Sequence, residues 1–151
     1  MSKIILKEES YKIMDACFEV YKTKGCGFLE SVYHECLAVE FGLQKIPFVS
    51  KPRIQLDYKG VLLNQAFEPD FICFGKVIVE IKATSKLARE HKAQTINYLQ
   101  ATKFELALLV NFGHYPLLEH ERFGNVDGYR TLLDQIVSRD DIGLDLEDLF
   151  S

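Results

Sequence analysis

Val77-Ile78-Val79-Glu80-Ile81-Lys82-Ala83 decides how this chain folds. Val77, Ile78 and Val79 are apolar in succession, which predicts a strand covered on both faces and therefore central in its sheet. Side chains alternate along a strand, so Glu80 and Lys82 project from the same face. Two ionisable groups on a covered strand are unfavourable unless they are paired or bind something. The plain structural alternative is a Glu80–Lys82 ion pair at the strand's exposed end.

Just upstream, residues 67–73 predict the preceding strand, joined to 76–83 as a hairpin around Phe74-Gly75. Asp70 lies on it. A three-residue loop at Phe74-Gly75-Lys76 sets Asp70 opposite Glu80, with Cβ atoms about 5 Å apart. A two-residue loop at Phe74-Gly75 sets it opposite Val79 instead. Both registers are compatible with the sequence. Neighbouring carboxylates repel, and one pKa rises unless a cation lies between them. A divalent metal with oxygen ligands resolves that conflict, and Mg²⁺ is commonly held by one or two carboxylates, waters and substrate phosphate. Lys82 would then stabilise charge developing at phosphorus or orient a water.

Downstream, a helix is predicted over 87–101, with Leu87, His91, Gln94, Tyr98 and Ala101 on one face. Gln94 is placed to hydrogen-bond a metal-bound water or the lysine; the alternative is a surface glutamine. His91 reads as a solvated or phosphate-contacting residue rather than a metal ligand. Lys82, Lys86, Arg89, His91 and Lys92 fall within eleven residues. Lys86, Arg89, His91 and Lys92 are candidates for contacts to nucleic-acid phosphates, or else form part of a solvated helix face. The apolar run 104–112 predicts a second strand buried on both faces, reached from 76–83 by a right-handed βαβ crossover.

The remaining segments complete the pattern. Helices are expected at 8–23 (Ile13, Cys17, Val20, Tyr21 facing inward) and at about 29–43 (Val32, Cys36, Val39 and Leu43 on one face). Gly25-Cys26-Gly27 separates them. Pro47 and Pro52 mark extended chain. Strands follow at 53–58, 61–65 and 117–123, and a short helix at 127–138. The fold class is α/β, with a mixed central sheet flanked by helices.

The chain has 151 residues and 48% apolar content, enough for one core. We expect a single domain over 1–138 and an acidic tail over 139–151. The tail holds Asp140, Asp141, Asp145, Glu147 and Asp148 against Arg139, which accounts for the whole net charge of −4. The body is thus neutral, unlike the usual basic nucleic-acid binder, although a local basic patch suffices. No apolar run approaches the roughly 20 residues of a membrane span. The opening segment lacks a signal-peptide core, so a cytoplasmic location is expected. Cys17, Cys26, Cys36 and Cys73 form no C-x-x-C pair and read as reduced thiols.

Pro69-Asp70 followed by Glu80-Ile81-Lys82 resembles the signature of the PD-(D/E)XK nuclease superfamily. Gln94-Thr95-Ile96-Asn97-Tyr98 is similar to the Q-x-x-x-Y motif of its RecB-like branch. Gly27-Phe28-Leu29-Glu30-Ser31-Val32-Tyr33 resembles the motif that names the GxxExxY family. The resemblance spans about residues 8–123. It implies a restriction-endonuclease-like core, with Asp70 and Glu80 binding Mg²⁺ or Mn²⁺ and Lys82 assisting the attacking water. It brings Glu30 near the metal; the alternative is an acid favoured by the helix dipole. Tyr33 is either a site hydroxyl or a packing residue, and Tyr98 is similar, bracing Gln94. No iron–sulfur cluster is expected from the cysteine arrangement.

Two functions follow as expectations. One is a metal-dependent deoxyribonuclease acting through a metal-activated water, with catalytic residues Asp70, Glu80, Lys82, Gln94, Glu30 and Tyr98 and DNA as partner. The other is a catalytically silent binding or accessory module that acts through a protein partner. A monomer and a homodimer are equally compatible with the sequence.

Overall fold

The computed structural model describes residues 5–102 and 104–124. The helix expected at 127–138, the domain limit at 138 and the acidic segment 139–151 lie outside the described residues.

Helix α1 spans Lys7–Lys24 and α2 spans Glu30–Leu43. Glu8 and Glu9 open α1, and Lys22 and Lys24 close it, which complements the helix dipole. Gly25 ends it at φ +71°, a conformation that glycine adopts without steric strain. α1 buries Ile13, Ala16, Cys17 and Val20. On α2 the buried face differs from the expected one. Tyr33, Leu37 and Phe41 turn inward at one-turn spacing, while Val39 and Leu43 are exposed. The larger side chains remove more apolar surface from water, so they set the helix's rotation. Val32, Cys36 and Val39 are left lining a shallow groove with Val20 of α1.

Seven strands follow: β1 Phe48–Ser50, β2 Ile54–Tyr58, β3 Val61–Phe67, β4 Phe71–Cys73, β5 Val77–Lys82, and, after α3 (Arg89–Thr102), β6 Leu106–Asn111 and β7 Glu119–Gly124. The strand expected over 67–73 is broken. Phe67 ends β3 and Phe71 begins β4, because Pro69 has no N–H to continue a ladder. The extended segment between Pro47 and Pro52 supplies the short strand β1.

The main sheet runs β1-β4-β5-β6-β7, with β2 and β3 forming a separate two-stranded ribbon. β5 and β6 are parallel and joined through α3, while the other neighbours are antiparallel. The pairing of Phe71 with Val79 and Cys73 with Val77 leaves Phe74-Gly75-Lys76 as a three-residue loop. Phe74 and Gly75 both have positive φ there.

Alternation along β5 divides the core. Val77, Val79 and Ile81 pack with α1 and α2 through Ile13, Leu37 and Phe41. Ile78 packs on the other face with Leu87, Ile96 and Leu99. Glu80 and Lys82 share the parity of Ile78 and point toward the α3 side. The buried stripe of α3 carries Ala93, Ile96 and Leu99, whereas Gln94 is exposed. The stripe expected through His91, Gln94 and Tyr98 is therefore rotated outward, because Ile96 and Leu99 hold the apolar area.

The chain leaving β5 is fixed by a polar network. The side-chain carbonyl of Asn111, fully buried, accepts from the amides of Thr84 (2.9 Å) and Gly113 (3.0 Å), and its NH₂ donates to Glu119 (2.9 Å). Glu119 also accepts from the Leu87 amide at 2.8 Å. This network ties the loop after Lys82 to β6 through Asn111 and to β7 through Glu119.

Candidate active site

Asp70 and Glu80 converge where β4 and β5 begin to separate. The Asp70 amide donates to Glu80 Oε1 at 3.1 Å, and Asp70 Oδ2 accepts from the Ile81 amide at 2.9 Å. The ladder between Phe71 and Val79, extended by one residue, sets Asp70 against Glu80. Of the two registers open to the sequence, the three-residue loop is the one adopted. Covalent geometry keeps an aspartate's carboxyl oxygens within roughly 4.5 Å of its own amide nitrogen, so the two carboxyl groups lie less than about 8 Å apart.

Burial pushes the Glu80 carboxyl up to about 8, and the neighbouring Asp70 charge adds to it. The Asp70 amide and Lys82 act in the opposite direction, while Glu30 adds a further small push upward. No ion pair joins Lys82 to Glu80 among the described residues, so the simple pair considered as the alternative is not formed at contact distance. Lys82 is instead held through its carbonyl, which accepts from the Phe112 amide at 2.8 Å.

Glu30 opens α2 and is exposed along much of its length. Burial of its carboxyl raises its pKa, as does Asp70, against the opposing charges of Lys82, His34 and Lys51. It thus joins the electrostatic field of the site. Among the described residues, however, no group of three or more His, Cys, Asp or Glu has the spacing of a metal cluster. Glu30 interacts electrostatically with both Asp70 and Glu80, so the three acids of the expected ligand set face one region.

Tyr33, from the same motif, is fully buried and stacks on Phe112 with centroids 4.9 Å apart. Its hydroxyl donates to the Gly25 carbonyl and accepts from the Phe28 amide at 3.3 Å. Of its two readings the packing one describes this geometry, with the hydroxyl pinning the loop ahead of Glu30. Gly27 in that loop has φ +110°, which restricts the position to glycine.

On α3, Tyr98 stacks face to face on Phe67, with centroids 3.9 Å apart. It braces the end of β3. His91 Nδ1 accepts from the Ala88 amide at 3.0 Å, capping the helix start. Burial and the Lys82 charge hold His91 below its ordinary pKa, partly offset by Glu90 and Glu119. Lys92 pairs with Glu121 at 3.5 Å. Arg89 is half-buried and Lys86 is exposed in the β5–α3 loop. Within the expected basic run, Lys92 is thus paired and His91 is engaged with the backbone of the helix start.

Sequence reading missed His34, Ser50 and Lys51. His34 is buried, with Nδ1 3.3 Å from Asp70 Oδ1 and Nε2 2.8 Å from Ser50 Oγ. The one available signal is its position four residues after Glu30, on the same helical face. The Lys51 amide donates to the Asp70 carbonyl at 2.9 Å.

A model of the PD-(D/E)XK nuclease superfamily matches residues 7–123. The chain belongs to the PD-(D/E)XK nuclease superfamily. Its fold is similar to the crystal structure of SSO0001, with a TM-score of 0.50 and 18% identity over 72% of this chain. The chain spans 58% of the length of that structure. An alkaline exonuclease (LHK-Exo) from Laribacter hongkongensis aligns at a TM-score of 0.48 and 13% identity, covering 92% of this chain and 79% of that one. No curated protein matches the chain.

PD-(D/E)XK nucleases generally use divalent metals, and the residues present fit one. Two close carboxylates, one with its charge disfavoured by burial and by the other, gain from a shared cation. Mg²⁺ needs no more than one or two protein carboxylates, since water and phosphate complete its shell. Among the described residues, no helix is long and apolar enough to cross a membrane.

Proposed function

We propose that this chain is a metal-dependent nuclease that hydrolyses DNA phosphodiester bonds with Mg²⁺ or Mn²⁺. We assign it to the GxxExxY family within the RecB-like branch. The observation that carries the reading is the crossed hydrogen bonding of Asp70 and Glu80, which sets two carboxylates side by side next to Lys82. When bound, the divalent ion activates a water and offsets charge on the phosphate. Asp70 and Glu80 would hold that ion, and Glu30 would add negative charge to the site. Lys82 supplies a positive charge toward phosphorus, where negative charge grows in the transition state.

The motif residues support this assignment. Gly27 and Tyr33 shape the loop that presents Glu30. Tyr98 steadies Phe67, three residues before Asp70. Gln94 is exposed one turn earlier on α3 and is available to a metal-bound water or to DNA. Lys86, Arg89 and His91 sit where the chain enters α3 and are assigned to phosphate contacts; Lys92 contributes less because Glu121 neutralises it. Free thiols at Cys17, Cys26, Cys36 and Cys73 fit the reducing cytoplasm.

A second reading, a binding module that works through a protein partner, draws on the β2–β3 ribbon. Its tip exposes Tyr58, Val61 and Leu62 together. A metal titration over single- and double-stranded DNA and RNA separates the two. Metal-dependent cleavage by the wild type that Lys82→Ala abolishes establishes the nuclease. Absence of cleavage on every substrate, with Mg²⁺ or Mn²⁺, favours the module.

A further inference from the structure

We infer that His34 is a positioning residue: together with Ser50 it fixes the orientation of the Asp70 carboxylate. The inference rests on the metal-dependent reading above, and it concerns a side chain outside every motif that led to that reading.

Asp70 needs such a support because of where it lies. It falls between β3 and β4, beyond the paired residues of the sheet. The terminal torsion of an aspartate is broad, so its carboxylate swings unless donors hold it. Two donors approach it from different elements. The Ile81 amide of β5 binds Oδ2 at 2.9 Å, and the His34 imidazole of α2 meets Oδ1 at 3.3 Å. Each oxygen keeps further lone-pair capacity for an ion.

His34 is itself fixed from two sides. Its ring stacks on Phe71 with centroids 4.2 Å apart and an interplanar angle of 14°. Its Nε2 meets Ser50 Oγ on β1 at 2.8 Å. An ionised carboxylate only accepts, so Nδ1 must carry the hydrogen that faces Asp70. In the neutral ring Nε2 is then the acceptor for the Ser50 hydroxyl. Ser50, His34 and Asp70 thus form one chain of hydrogen bonds from the sheet edge, through the helix, to the site. Groups that orient metal-binding carboxylates in this way tune affinity without touching the ion.

The test uses the full chain and reads Mn²⁺ binding by calorimetry, with a metal-free thermal melt on the same preparation. His34→Phe keeps an aromatic ring for the Phe71 stack and removes both hydrogen bonds. His34→Asn restores an N–H close to the position of Nδ1. We expect His34→Phe to weaken Mn²⁺ binding by roughly 10–100-fold, and His34→Asn to recover most of that loss, with both melts close to wild type. Should His34→Phe fail to fold, Ser50→Ala at the exposed end of the chain reports the same link through a smaller loss of affinity. A wild-type affinity in the folded Phe variant, or in Ser50→Ala where that variant stands in, overturns the role of His34 alone. So does an Asn variant that binds as poorly as the Phe variant. A wild-type protein that takes up no Mn²⁺ overturns the metal reading, and this one with it.

Discussion

Asp70 and Glu80 are tied by hydrogen bonds that cross between their strands: the Asp70 amide donates to the Glu80 carboxyl, while the Asp70 carboxyl accepts from the amide just after Glu80. Neither acid can swing away without releasing a backbone amide. Glu80→Gln tests the charge apart from the geometry, since an amide oxygen still accepts from Asp70. The variant should fold normally and lose Mn²⁺ binding and cleavage together. Calorimetry and a cleavage assay on one preparation check this.

The raised pKa of Glu80 gives stability a defined pH dependence. Its ordinary value is 4.5 and burial lifts it to about 8 in the fold. The fold therefore favours the protonated form. That contribution is complete below about 4.5 and is lost as pH rises through about 8. Metal-free protein should melt at progressively lower temperature across this window. Mg²⁺ favours the ionised form, so a saturating amount should flatten the slope, and its binding at pH 7 should release protons. Melts at several pH values with and without Mg²⁺ measure the first effect; calorimetry in buffers of different ionisation enthalpy measures the second. A metal-free slope that Glu80→Gln leaves unchanged would assign it to another group.

Lys82 makes no ion pair with Glu80 at contact distance among the described residues, so its removal should not strand a buried partner. Lys82→Ala should keep its melting temperature and its Mn²⁺ affinity. Cleavage should fall by about 10²–10³, the usual loss for one group that stabilises transition-state charge. A melt that collapses instead would identify Lys82 as structural.

Tyr33→Phe keeps the stack on Phe112 and deletes the hydroxyl that joins Gly25 to Phe28. Each lost hydrogen bond corresponds to about 0.5–1.5 kcal/mol, readable by urea denaturation. Because the pinned loop leads directly into Glu30, cleavage should drop as well, with Lys82 and Asp70 unchanged.

Gly113 has no room for a side chain. A Cβ there would stand 2.5 Å from the backbone nitrogen and oxygen of Thr84. Gly113→Ala should destabilise by about 1–3 kcal/mol, as overpacking does. The displaced loop is the one that follows Lys82, so activity should fall beyond what the fraction folded accounts for.

By itself the sequence determined the two leading helices, the β5–α3–β6 crossover, the central place of β5 and the shared face of Glu80 and Lys82, but not the short edge strand β1. These follow from local rules: periodicity, turn chemistry, and the parity of a strand. Glu80 and Lys82 were legible for the same reason, since two ionisable groups on a covered strand contradict their own burial, and Asp70 followed as the acid of the neighbouring strand segment. Only the tertiary structure decided the rest. The register that brings Asp70 to Glu80 depended on loop length, and one residue's slip would have reversed the pairing. The rotation of α2 and α3 was set by competition between two possible apolar stripes, which packing against the sheet resolves by area. His34 left almost no mark in the sequence. A lone histidine takes its meaning from what surrounds it, here Ser50 on β1 and the neighbouring Asp70 and Phe71 at the start of β4, two segments that meet it only when the sheet closes against α2.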